Sequence, residues 1–335
     1  MTARRRVASR AAAAVAGIAL LLAVPHLLPG WVGFFVTVGI FFLPVTGLNL
    51  LMGYGGQVSL GQTVFLAGGA YGAGLLSVRL GVPTLAALVV AAVVCAAVAG
   101  ALGQVFLRLR GLYLALATLG LAVIVEQLVT ALVSLTGGPS GLVGVPGLSL
   151  GPFTLVSATD YYYLLALLGV LGAWFARNIA ATQTGRALAA IAADQEAAAM
   201  LGIKPSSYKT RAFVLSAVYA SVAGSVDASY SRFISPDSVA VLVALSIVIM
   251  LALGGFRTVL GPLVGAIAYQ IVPKLGQGVS LYEPLVAGLV LVLVMTYLPS
   301  GIWGSVRQLG QAALGPGRWP PPAADPVTVP SDVHA

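Results

Sequence analysis

Apolar runs long enough to cross a lipid bilayer recur along almost the whole chain, and nothing else in the sequence limits the fold as strongly. A helix needs about 20 apolar residues to span the hydrocarbon core. On that ruler the chain offers about ten spans, near 11–28, 31–50, 60–78, 83–107, 111–134, 160–177, 211–231, 238–253, 259–273 and 284–302. Only 8% of the residues are charged, against about 25% in an average soluble domain. The expected fold class is an all-α polytopic membrane protein with about ten transmembrane helices.

Charge orients this array. The net charge of +8 invites a nucleic-acid partner, but basic residues also gather in the cytoplasmic loops of membrane proteins. With the N-terminus inside, ten spans return the C-terminus inside. Of the 17 Lys and Arg residues, all but Arg79, Arg232 and Lys274 then fall on the cytoplasmic side. The sequence therefore predicts a multi-pass plasma (inner) membrane protein with both termini cytoplasmic and no nucleic-acid partner. Arg4, Arg5, Arg6 and Arg10 precede the first apolar run, as in a signal peptide. No small-x-small cleavage site closes that run and a second follows at once, so a retained span is expected. The predicted organisation is a basic N-terminus over 1–10, a transmembrane domain over 11–303 and a Pro-rich tail over 304–335. The tail is expected to be disordered.

One long polar segment interrupts the membrane pattern. It carries Arg177, Arg186, Asp194, Glu196, Lys204, Lys209 and Arg211, and its loop spans 178–210. The alanine-rich run from Arg186 to Leu201 is strong helix-forming material, with Gly202 just past its end. A helix with so little apolar bulk holds no core of its own, so it is read as a cytoplasmic helix offered to a partner protein.

Three further connections depart from ordinary loops, one of them the short cytoplasmic turn Gly254-Gly-Phe-Arg-Thr258. Gly53-Tyr-Gly-Gly-Gln-Val-Ser-Leu-Gly61 is glycine-rich. It reads either as a tight cytoplasmic turn or as a broken segment lining a path, since irregular backbone at membrane depth is tolerated beside a watery cavity. Asn49, Gln57, Ser59 and Gln62 favour the path. Thr136-Gly-Gly-Pro-Ser-Gly-Leu142 begins a long outer connection, uncharged until Asp160 and expected to dip back toward the membrane.

Chemistry-bearing residues are sparse. Cys95 is the one cysteine and the two histidines, His26 and His334, are isolated, so neither a disulfide framework nor a metal cluster is expected. There is no zincin motif, no nucleophile elbow and no phosphate-cradling loop. If solute moves uphill with ATP, another chain must bind the nucleotide, and this chain needs no cofactor. Glu126 lies inside the fifth span, where an ionisable group is a functional candidate or a carboxylate held by a neighbouring helix. Asp227 lies near a span end, where solvation accounts for it.

Gly47-Leu-Asn-Leu-Leu-Met-Gly-Tyr-Gly-Gly-Gln-Val-Ser-Leu-Gly61, followed by Gly69-Ala-Tyr71, resembles the inner-membrane permeases of branched-chain amino-acid ABC importers. Further stretches match in the same order. They are Thr136 to Leu142, Gly185-Arg-Ala187 through Leu201-Gly-Ile203 with Tyr208-Lys209, Leu253-Gly-Gly255 with Gly261-Pro262, and Pro299-Ser-Gly301. The likeness covers roughly 40–302 and is greatest to the M-type subunit. It implies an ABC importer permease fold and a second, similar permease as partner. It also implies two cytoplasmic ABC ATPases that use ATP and an external solute-binding protein. The polar loop then corresponds to the helix that docks on the ATPase, with Asp194, Gln195, Glu196, Ala197, Leu201 and Gly202 as its coupling residues. Gln195 stands where the family usually has Glu. Path candidates are Asn49, Gly53, Tyr54, Gln57, Ser59, Gln62, Glu126, Thr136, Gly137 and Gly138. Gln62 replaces a common His, and Glu126 falls where Arg is frequent, so the solute is either a branched-chain amino acid or another small polar molecule.

Two other classes compete: an ion- or proton-coupled secondary carrier working alone, and a membrane-embedded enzyme. The coupling-like loop and the missing catalytic motifs favour a transport subunit that is not itself an enzyme.

Overall fold

The computed structural model describes residues 21, 23–109, 111–150, 153–275, 288 and 301–305. The first expected span lies mostly, and the tenth almost wholly, outside these residues, as do the basic N-terminus and nearly all of the Pro-rich tail. Six helical runs among the described residues are long and apolar enough to cross a membrane. They begin with helix α1 (Val32–Leu48), preceded by a 3-10 turn at Pro29–Trp31 and continued by a π-helical turn at Asn49–Tyr54. The others are α2 (Gln62–Leu80), α3 (Thr84–Phe106), α4 (Leu112–Ala131), α5 (Ala158–Ala181) and, after two short helices, α8 (Pro205–Ser231). Two shorter apolar helices follow, α9 (Val241–Gly254) and α10 (Gly261–Leu275).

The helices around α1 and α8 make the core. Of the apolar window in each of these two runs, 72% is buried, against 17% in α5, which therefore lies at the periphery. Small residues let the central helices approach closely, the usual device where lipid offers no hydrophobic drive for association. A Cβ at Gly69 of α2 would lie 2.0 Å from the Ser221 carbonyl oxygen of α8, and one at Gly224 would lie 1.9 Å from that of Leu66. The backbones of α2 and α8 thus touch, and the Ser225 hydroxyl donates to Gly69 O at 2.9 Å. The hairpin of α9 and α10 uses the same device, with Gly265 against Met250 and Gly254 against Gly261.

Successive contacts fix the run of the chain. Gly33 at the start of α1 lies near Tyr230 at the end of α8, while Gly47 lies against Ser216 and Tyr219; these two helices are antiparallel. The Leu60 N–H donates to Thr118 near the start of α4, and Arg79 at the end of α2 donates to Ser134 O and Leu135 O just beyond α4. Helices α2 and α4 therefore run the same way. Every described connection then falls at one of two ends. The segments 55–61, 107–111, 182–204 and 255–260 share one end, and 81–83, 132–157 and 232–240 share the other. Arg108, Arg177, Arg186, Lys204, Lys209, Arg211 and Arg257 belong to the first end, and Arg79, Arg232 and Lys274 to the second, as the charge pattern requires.

At the second end, β1 (Leu142–Val143) pairs antiparallel with β4 (Phe233–Ile234), Leu142 opposite Ile234, and β2 (Ser149–Leu150) pairs with β3 (Phe153–Thr154). These strands tie the long 132–157 connection over the bundle. The Tyr161 hydroxyl holds it, accepting from Leu148 N at 3.0 Å and donating to Ser229 O at 2.9 Å. The connection does dip inward. Leu142 and Ile234 pack at Gly74, six residues and so about 9 Å before the end of α2 at the helical rise.

The polar loop differs from the single helix expected between Arg186 and Leu201. It forms α6 (Gln183–Ala193) and α7 (Gln195–Met200), broken at Asp194. Asp194 takes an extended conformation (φ −153°, ψ 113°), and its carboxylate accepts from Glu196 N at 2.8 Å and Ala197 N at 3.0 Å. N-capping by Asp competes with continuing the helix, and here it outweighs the alanine propensity on both sides. Gly185 lies inside α6, where a Cβ would meet Ala180 O at 2.2 Å.

Candidate functional site

The six coupling candidates form an elbow at the basic end. Asp194 caps α7, and Gly202 closes it in the left-handed region (φ +82°). Gly202 N donates to Ala199 O at 3.0 Å and Ile203 N to Ala198 O at 3.1 Å, the paired bonds of a glycine C-cap. Between these ends the elbow turns apolar side chains outward: Met200 is 88% and Leu201 82% exposed, while Ala198 is buried. Below it, Lys209 is buried in the first turns of α8, and its ammonium donates to the Gln195 side-chain oxygen. Burying a lysine is costly unless it is paired and hydrogen-bonded, so this contact fixes α7 to α8. Charge alone did not single out Lys209, because its partner is decided by the bend at Asp194.

Asn49, Gly53 and Tyr54 converge on the turn between α9 and α10, which includes Arg257 and Thr258. The Asn49 side chain is buried at the start of the π-helical turn. Its oxygen accepts from Arg257 N at 3.0 Å and its amide donates to Thr258 O at 2.7 Å. The Arg257 guanidinium returns to Gly53 O at 2.7 Å, and Tyr54 OH donates to Arg257 O at 3.0 Å. Arg257 holds φ +58°, a conformation uncommon for a residue with a Cβ. Glycine at 53 leaves room for this contact, since a Cβ there would lie 2.2 Å from Asn49 Oδ1 and displace it from Arg257 N. Gly301, from the last described segment, packs on Gly255 of the same turn.

Gln57, Ser59 and Gln62 continue from this clamp into the bundle, all buried. Gln62 donates to the Ser216 hydroxyl of α8, and Gln57 donates to Gly55 O at 3.1 Å. Gln57 Oε1, Gln62 Oε1, Thr63 Oγ1, Tyr71 OH, Ser77 Oγ and Ser221 Oγ are buried with no protein partner among the described residues. Buried polar atoms therefore recur along and around α2 from Gln62 to Ser77.

Thr136, Gly137 and Gly138 lie at the other end. Thr136 Oγ1 donates to Val129 O at 2.6 Å and accepts from Gly138 N at 3.2 Å, closing the end of α4. Nine of the ten path candidates thus form two groups at opposite ends rather than one pocket. Glu126 stands apart from both. It is half-buried, four residues after buried Ala122 and three before buried Val129, which puts it at the margin of the packed face of α4. A cavity of about 350 Å³ is lined by apolar side chains including Leu43, Leu168, Trp174 and Leu215, and is lined by no path candidate.

Six long apolar helices, with their connections divided between two ends, define an all-α, multi-pass membrane protein. Residues 30–297 match the family described as branched-chain amino acid transport system / permease component. The high-affinity branched-chain amino acid transport system permease protein LivM of Salmonella typhimurium is 32% identical over 284 residues, covering 78% of this chain and 67% of that protein. Its counterpart in Escherichia coli is 31% identical with the same coverage. No solved structure matches the chain. The chain belongs to the family of branched-chain amino acid transport permeases.

Proposed function

We propose that this chain is the M-type membrane permease subunit of an ABC importer that carries branched-chain amino acids or a related small polar solute. The observation that carries this reading, beside the family, is the α6–α7 elbow. It presents Met200 and Leu201 to the outside on a helix capped at both ends, and it is anchored to α8 through Lys209. An exposed apolar tip on a rigid polar mount is suited to a protein groove, and a separate cytoplasmic ATPase is the partner that a permease without a nucleotide loop requires. The strand end then faces the outside, where a solute-binding protein delivers the cargo, and both termini are cytoplasmic. A second, similar permease completes the path. The chain itself holds no cofactor; ATP is used by the partner ATPases. The buried amides and hydroxyls of Gln57, Gln62 and Thr63 offer a polar lining along α2 for a zwitterionic or neutral solute.

Reconstitution of the assembled complex in proteoliposomes tests the reading. Uptake of leucine, isoleucine or valine, or of another small solute held by the binding protein, should require ATP on the ATPase side. Uptake by the lone chain, driven by an ion gradient, would overturn it.

A further inference from the structure

The clamp between Asn49 and Arg257 joins the end of α1 and its π-helical turn to the turn between α9 and α10. On one side it holds the turn between α9 and α10. Asn49 grips two successive residues of that turn with the two ends of its amide, and Arg257 returns to Gly53 O. On the other side, the π-helical turn runs directly into Gly55 and Gly56, which rest on α6. A Cβ at Gly56 would lie 2.9 Å from Ala192 Cβ, and one at Gly55 would lie 3.6 Å from Leu188 Cδ2. The segment between these contacts is held by backbone bonds, with Gly56 N donating to Met52 O at 3.1 Å and Gln57 N to Leu51 O at 3.2 Å. Gly55 N donates to Leu50 O across the wide turn at 3.2 Å, and Gly56 sits at φ +63°. Wide turns of this kind inside helices occur frequently at functional positions, and glycine takes either hand of backbone without steric cost.

A displacement of α6 would therefore press on Gly55–Gly56 and, within two turns of chain, meet a four-bond clamp. The clamp holds its far partner, Arg257, in a backbone conformation that it would not choose alone. Such a strained residue persists only where its surroundings over-determine it. We propose that Asn49 and Arg257 are positioning residues that pass the movement of the α6–α7 elbow into the α9–α10 hairpin, so that loosening the clamp they build, through the Arg257 guanidinium bond to Gly53 O or the Asn49 amide bond to Thr258 O, separates ATP hydrolysis from solute movement. This rests on the ABC permease reading above.

The test uses the full complex in proteoliposomes, with uptake and ATP hydrolysis measured on the same preparations. Arg257→Gly removes the guanidinium while leaving a residue at ease with φ +58°, so the turn keeps its shape. Hydrolysis should persist near the wild-type rate while uptake falls about tenfold, within the range of measured coupling between sites. Arg257→Lys, which keeps a donor for Gly53 O, should restore part of the uptake. Asn49→Asp keeps the acceptor for Arg257 N but loses the donor to Thr258 O, and should give the same separation if Arg257→Gly does not assemble. Uptake and hydrolysis falling in equal proportion in every variant that assembles would overturn the clamp alone, as would failure of both Arg257→Gly and Asn49→Asp to assemble, which would mark the contact as structural. A wild-type complex without ATP-driven uptake would overturn the functional reading and the clamp with it.

Discussion

The buried ammonium of Lys209 donates to the side-chain oxygen of Gln195, fourteen residues earlier in the chain, and so ties the first turns of α8 to the start of α7. Removing the acceptor leaves a buried cation with one partner fewer. Gln195→Leu should destabilise the mount by about 2 kcal/mol, the scale of a lost charge-assisted hydrogen bond. Gln195→Glu keeps an acceptor and adds opposite charge, and should be neutral or stabilising. Apparent melting temperatures of the detergent-purified complex check this: a lowered value for Gln195→Leu alone is expected.

The touching backbones of α2 and α8 make a second prediction. No side chain fits at Gly69, where a Cβ would fall 2.0 Å from Ser221 O. Gly69→Val must push the two central helices apart and also break the Ser225 bond to Gly69 O. Loss of folded protein is expected, read as aggregation on size-exclusion chromatography. Gly120→Val is the control, since nothing lies within 4 Å of a Cβ there, and it should elute as wild type.

Glu126 lies on the margin between the packed and open faces of α4. A carboxylate in a span faces a bundle interior or a wet cavity rather than lipid. Glu126→Gln keeps shape and hydrogen bonding while removing charge. Relative uptake of acidic, neutral and basic solutes should shift by up to about tenfold, the equivalent of one charged hydrogen bond, with assembly unchanged. An unaltered ranking assigns Glu126 a structural role.

The sidedness of the two ends is testable with single cysteines in a Cys95→Ser background. Val143, in β1, is 69% exposed, and Ser206, at the start of α8, is exposed at the basic end. A cysteine at 143 should react with an impermeant thiol reagent in intact cells, and one at 206 only after permeabilisation. The reverse pattern would invert the orientation.

Much of the fold was legible because lipid leaves a chain few options: apolar length marked the helices between Val32 and Leu275, and basic residues sorted the connections by end. The cap at Gly202 was legible as well, since glycine after a helical run is a local signal. The break at Asp194 was not, because alanine propensity is additive along the run while a single side-chain cap acts at one point. The Arg257 clamp was out of reach for a different reason. Its partners are more than 200 residues away in sequence, and only the packing of α1 beside the α9–α10 turn brings Asn49 to it. Asn49, Gly53 and Tyr54, expected beside a path, lie around that turn.

The exposed tip of the elbow bears the central claim, that this permease is driven by a separate ATPase docked at α7. The most direct measurement is co-purification of the ATPase with the tagged permease, comparing wild type with Leu201→Asp. Leu201 is 82% exposed, so the substitution leaves the membrane fold intact and places a charge on the docking tip. The account predicts that the wild-type chain retains the ATPase and that Leu201→Asp loses it while still inserting in the membrane. Equal recovery of ATPase with both chains, or none with the wild type, would contradict it.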